Sequence, residues 1–162
     1  MPYSFSLVPI KKGNEKTIRR FSLGLFGSYS SRLAGFDGGL GIAIVEEDVR
    51  GVQLYGLGNY VLGDVTGVQM AYILNYAAGD ARVVQMASGV NWAKGNTSYT
   101  QLATGLNYAG GNMSGFQGAG IVNIARGDVS GCQIASVVNT AGGKSDTSQR
   151  GAPPSLVSLP FE

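Results

Sequence analysis

Histidine is absent from the chain. That removes imidazole as an acid–base group near neutral pH and as a metal ligand. The one cysteine, Cys132, has no partner for an intramolecular disulfide or a thiolate cluster, and it reads as an inert buried thiol. Charged residues make up only 14% of the sequence and the net charge is +2, which gives no general argument for nucleic-acid binding. No apolar run approaches the length of a membrane-spanning helix. The first residues lack the long apolar core of a signal peptide, so export is expected to depend on a leader outside this sequence.

What the sequence does have is glycine, 26 residues of 162, and a period. Rows of sixteen written from Gly51 align six times without a gap, ending at Asp146, as G-V-Q-L/M-A-x-x-V-N-Y-A-x-G-D/N-x-S. Three columns never vary. The glutamines are Gln53, Gln69, Gln85, Gln101, Gln117 and Gln133, and the asparagines are Asn59, Asn75, Asn91, Asn107, Asn123 and Asn139. Glycine recurs from Gly63 to Gly143. A degenerate row over 35–50 keeps Phe36, Ile42, Ile44 and Asp48 in column but puts Asp37 where the glutamine stands and Ala43 where the asparagine stands. Fixed-period self-similarity of this kind marks a repeat architecture.

Each row alternates Val, Ile, Leu, Tyr or Trp with Gln, Ala or Asn, and none shows a helical period, so the rows are expected to be β-strands. Gly-Asp or Gly-Asn closes each row as a turn. Residues 1–34 form an N-terminal β segment, with strands expected at Phe5–Val8 and Phe21–Phe26 around a solvated charged loop from Lys11 to Arg20. Residues 35–146 are the repeat domain. Residues 147–162 read as a tail, because the stretch from Lys144 to Pro154 is rich in Ser, Gly and Pro.

The eight charges of the six clear rows all sit at positions twelve, fourteen or sixteen, in or beside the turn. Both strand faces are therefore free of charge, although a solvated face normally shows some. One alternation set carries Val68, Met70, Leu74 and Tyr76. The other carries the Gln and Asn columns with Ala71, Ala87, Ala103 and Ala119, and is expected to be the flat, uncharged face offered to a partner unless it too is covered. Two all-β architectures fit. In a β-solenoid of sixteen-residue coils, like residues stack about 4.8 Å apart and amides form ladders. In a small transmembrane β-barrel, each row would be one strand. A barrel grown by duplication would repeat every hairpin, and odd and even rows do not differ, so the solenoid is favoured.

The G-V-Q-x-A-x-x-V-N-x-A-x-G-D-V-x-G rhythm, clearest from Gly115 to Gly131, resembles bacterial surface repeat-containing proteins of the kind found in Leptospira and Bacteroidetes-type genomes. Ser4–Pro9 and Phe21–Tyr29 are similar to that family's N-terminal segment. The resemblance implies an exported, surface-exposed protein, extracellular or at the outer membrane, and assigns no activity to individual residues. Gly118 departs from a column otherwise Leu, Met or Ile and is expected to leave a local gap in packing.

No catalytic constellation stands out. Gly38-Gly39-Leu40-Gly41 and Gly110-Gly111-Asn112 are followed by no Lys-Ser/Thr and read as turns or strand glycines. Glu46, Glu47 and Asp48 lack the alternating oxygens of a calcium loop and read as a solvated turn. Tyr60, Tyr76, Trp92 and Tyr108 share one column, as a sugar-stacking ladder, a membrane girdle or simple stacking between coils. The expectation is a non-enzymatic surface module with no cofactor and no metal. It would self-associate or bind a surface partner, with membrane contact under the barrel alternative and no nucleic-acid partner.

Overall fold

The computed structural model of the protein describes residues 3–6, 18–145 and 149–151, the short pieces at either end by backbone alone. Each sixteen-residue row folds as one coil: a long strand such as Val65–Ala71, a corner, a short strand such as Leu74–Ala77, and the Gly-Asp turn. Long strands stack on long strands and short on short, giving a ten-stranded and an eight-stranded sheet that face each other. Pairing is parallel and in register, so Gln69 lies beside Gln85 and Asn75 beside Asn91. This is a β-solenoid. The transmembrane barrel would require antiparallel strands in one closed sheet, and the parallel pairing in two open sheets overturns it.

The degenerate row is a full coil. Asp37 pairs with Gln53 and Ala43 with Asn59, as the columns require. One coil earlier, Ile18–Gly24 and Gly27–Ser30 are strands, so Ile18, Arg19 and Arg20 belong to a sheet and not to the expected charged loop. The rest of that loop, 11–17, and Leu7 and Val8 lie outside the described residues. At the other end Gln149–Gly151 pairs in register with Gln133–Ala135. The glutamine column therefore reaches past 146 into the stretch expected to be tail, whose residues 152–162 lie outside the described residues.

The interior holds the set expected to face a partner. All six glutamines from Gln53 to Gln133 have 0% exposure, as do five of the six asparagines, with Asn139 at 1%. The apolar set points outward instead. Burying an amide is unfavourable unless its polar atoms are bonded, and stacking in register supplies the bonds. Gln85 Nε2 donates to Gln69 Oε1 at 2.8 Å, and this repeats from Gln69 to Gln133. Asn75 Nδ2 donates to Asn91 Oδ1 at 2.9 Å and to the corner carbonyl of Met86 at 2.8 Å. The two ladders run in opposite senses, glutamines donating toward the N-terminus and asparagines toward the C-terminus, so their aligned dipoles oppose each other.

Beside the amides, an apolar lobe fills the turn side, with Leu33, Val49 and Val65 from long strands against Val45, Val61 and Ala77 from short ones. The turn has a ladder of its own: Asp80 N donates to Asp64 Oδ1 at 2.8 Å and Asn96 N to Asp80 Oδ1 at 2.8 Å. Asp and Asn share this column because each supplies an acceptor to the next coil.

Candidate functional site

Two surfaces carry the uncharged character read from the sequence. The first is the outer face of the eight-stranded sheet. In each short strand the first and third residues point out and the second and fourth point in, so Leu74 and Tyr76 are half-exposed while Asn75 and Ala77 are buried. Down the sheet, these outward positions form two apolar columns. One carries Gly27, Ile42, Gly58, Leu74, Val90, Leu106, Val122 and Val138, and the other Tyr29, Ile44, Tyr60, Tyr76, Trp92, Tyr108, Ile124 and Thr140. Neither contains a charge. The corner beside them adds Leu57, Ile73, Ile121 and Val137, each about half exposed. The ten-stranded sheet differs. Its outward Val68 and Met70 are accompanied by a polar column that includes Arg50, Thr66, Arg82 and Ser98.

The aromatic column is stacked coil on coil. Tyr60 and Tyr76 lie 4.5 Å apart at 6°, and Trp92 and Tyr108 4.0 Å apart at 19°. Each pair thus takes up one face of each of its two rings. Lys94 lies on the rim with its ammonium 5.8 Å from the centre of the Tyr76 ring. The hydroxyl of Tyr76 and its charged form hold that lysine above its ordinary value. Where Gly58 interrupts the first column, the sheet has a hollow of about 390 Å³ between Ile42, Leu57, Tyr60, Ile73 and Leu74.

The second surface is a groove of about 840 Å³ along the far corner, crossing the coils from Gly39 to Gly118. Ala71, Ala87 and Ala103 line it, between Met70, Met86 and Leu102 on one side and Tyr72, Ser88 and Thr104 on the other. The alanine column is thus no open face. Ala87 is 9% exposed and Ala71, Ala103 and Ala119 are half-buried, because they share the inward parity of the glutamines and only the corner uncovers them.

Gly118 leaves no gap. A β-carbon there would lie 2.9 Å from Cδ2 of Leu102 and 3.0 Å from Cε1 of Phe116, so these two side chains occupy the space. Phe36 covers Gly38 in the same way. Cys132 is half-buried on the outer side of the ten-stranded sheet, in the outward column of Phe116, and not in the core.

Polar chemistry concentrates at the first coils. Asp37 is fully buried and accepts hydrogen bonds from the hydroxyls of Ser28 and, at 2.8 Å, Tyr55. Burial pushes its carboxyl above the ordinary value, opposed by bonds from Ser28, Tyr55 and Ser22 and by the Arg19 charge. Burial also raises the Tyr55 phenol, with the Asp37 charge adding to it. Gln53 Nε2 and Asn59 Oδ1 have no hydrogen-bond partner. They are the first members of their ladders, preceded by Asp37 and Ala43 in place of amides.

The carboxylates expected to form a solvated turn are engaged. Arg32 reaches Glu47 at 3.0 Å and Asp48 at 3.8 Å, and Glu46 accepts from Tyr29 and Ser31.

The outward parity was the feature that sequence reasoning left open. Its signal was the invariance of Gln and Asn, which an exposed face does not require and a bonded ladder does. Comparison with protein-family models, curated proteins and solved structures gives no match.

Proposed function

We propose that the protein is a non-catalytic structural module of a bacterial surface, working by self-association or adhesion through the outer face of its eight-stranded sheet. The observation that carries this reading is the pair of charge-free apolar columns across that sheet. A contiguous apolar surface of this extent on a folded domain is characteristic of a partner interface, and purely parallel sheets normally have both faces covered. The sequence's resemblance to surface repeat proteins supports the location.

The interior supports a scaffold role. Its amides are committed to ladders, and the buried carboxylate Asp37 is held by hydroxyls, with no histidine anywhere in the chain to activate a nucleophile. The test joins sedimentation velocity of the full chain in detergent-free buffer with antibody labelling of intact and permeabilised cells of the source organism. Concentration-dependent association and labelling of intact cells support the reading. A protein that labels only after permeabilisation contradicts the surface location, and one that stays monomeric and binds no cell or matrix surface contradicts the module.

A further inference from the structure

We propose that two copies pair face to face through their eight-stranded sheets, solenoid axes antiparallel, with Leu106 of each copy seated in the Gly58 hollow of the other. This rests on the self-association reading above and specifies its surface and register.

The sheet has eight short strands. A two-fold axis along the strand direction reverses their order and keeps each residue's place along the strand. The third strand then meets the sixth and the fourth meets the fifth. Gly58 leads the third strand and Leu106 leads the sixth. The hollow of about 390 Å³ around Gly58 therefore faces an outward leucine. Pairing with the axes parallel would reverse position along the strands and set the hollow against Tyr60 of the other copy instead of Leu106.

The aromatic column is arranged the same way. Tyr60, Tyr76, Trp92 and Tyr108 occupy the third to sixth strands, the middle half of the sheet, flanked by Ile44 and Ile124 at equal distances from the centre. Under the two-fold, aromatic meets aromatic and isoleucine meets isoleucine across the six inner strands, and Tyr29 meets Thr140 at each end. This self-matching is what an isologous interface requires.

The rim agrees in charge. In the column just after the short strands, Glu46 follows the second, Lys94 the fifth and Arg126 the seventh. Reversal sets Glu46 of one copy beside Arg126 of the other, twice over, and brings the two Lys94 side chains within one strand of each other near the centre. The area is adequate as well. Eight strands at about 4.8 Å and six residues from corner to corner at about 3.3 Å give roughly 750 Å² per copy, close to the roughly 800 Å² per partner of a stable complex.

Sedimentation equilibrium of the full chain, with circular dichroism to confirm the fold, tests the pairing. Gly58→Leu fills the hollow. Its β-carbon would lie 3.1 Å from the carbonyl oxygen of Leu74, so the neighbouring strand must give by a few tenths of an ångström, and the variant should raise the dimer dissociation constant at least about tenfold. Adding Leu106→Gly exchanges knob and hole and should restore pairing. If Gly58→Leu alone does not fold, Leu106→Lys attacks the same contact from an outward position and should give a folded monomer. Wild-type-like association of the folded single variants would overturn this pairing while leaving self-association through another surface standing. Weakening by Gly58→Leu without rescue by the exchange would overturn the antiparallel register. A wild-type chain that stays monomeric overturns both the pairing and the self-association on which it rests.

Discussion

The side-chain amide of Asn91 donates to Oδ1 of Asn107 one coil further on, at 2.9 Å, and to the corner carbonyl of Leu102 at 2.7 Å. One buried nitrogen thus links two coils through the ladder and closes the corner where the long strand ends. Asn91→Leu removes both bonds, strips Asn75 Nδ2 of its acceptor on that side and leaves Leu102 O short of a donor. Unsatisfied buried polar groups cost about 1–3 kcal/mol each. Thermal and urea unfolding should show a clear loss of stability, and an unchanged midpoint would argue against the ladder.

Tyr99 stands in a column otherwise filled mainly by glycine and is the one non-glycine residue described with positive φ, at 80°. In the same column Gly67 and its neighbour Gly115 have φ of 131° and 118°, since a side chain in that backbone arrangement would collide with a carbonyl of the preceding coil. Tyr99 is 65% exposed, so its ring offers little packing in return. Tyr99→Gly relieves about 1–2 kcal/mol of left-handed strain and gives back about 0.5–1 kcal/mol in chain entropy. A modest rise in unfolding free energy is expected, and a fall would show that the ring stabilises the coil.

Asp37 makes stability depend on pH in a definite direction. Its folded carboxyl is held above the ordinary value of 3.8, so the folded state binds its proton more tightly than the unfolded chain does. The stability it contributes is full below 3.8 and is lost as pH rises through the raised folded value. Asp37→Asn keeps an acceptor for Tyr55 and cannot ionise. The variant should be more stable than wild type at neutral pH, with the difference shrinking in acid. Equal slopes of stability against pH in the two proteins would contradict the assignment.

Removing residues 83–98 takes out one coil and joins Arg82 to Tyr99 in register, bringing Gln85's neighbours Gln69 and Gln101 together. Each coil contacts only its neighbours, so the shortened chain should fold with the same circular dichroism and somewhat lower stability. Loss of the β signal would mean that the coils are not interchangeable.

The period, the turn chemistry and the replaced columns at Asp37 and Ala43 were all legible in the sequence, because parallel stacking in register turns a repeat directly into columns. Which face lies inside was not. Taken singly, a glutamine belongs in water and a methionine in a core. The order reverses only when each amide meets its copies above and below, an energy that belongs to the stack and to no single row. Gly118 was likewise ambiguous alone, and Leu102 one coil earlier with the ring of Phe116 two residues before it shows why the space is filled. Gln149 was obscured by its Ser-, Gly- and Pro-rich surroundings, although it keeps the sixteen-residue step from Gln133. The hollow at Gly58 became visible once Ile42, Tyr60 and Leu74 were known to point outward around it.

Trp92 is the chain's single tryptophan and lies at the centre of the eight-stranded sheet face, so its emission and its access to a soluble quencher, followed against protein concentration, test the interface most directly. If that face pairs with a second copy, raising the concentration should shift the emission to the blue and protect it from acrylamide, over the range in which sedimentation detects the dimer. Emission and quenching that stay constant while the protein associates would show that this face remains in water, and would contradict the interface.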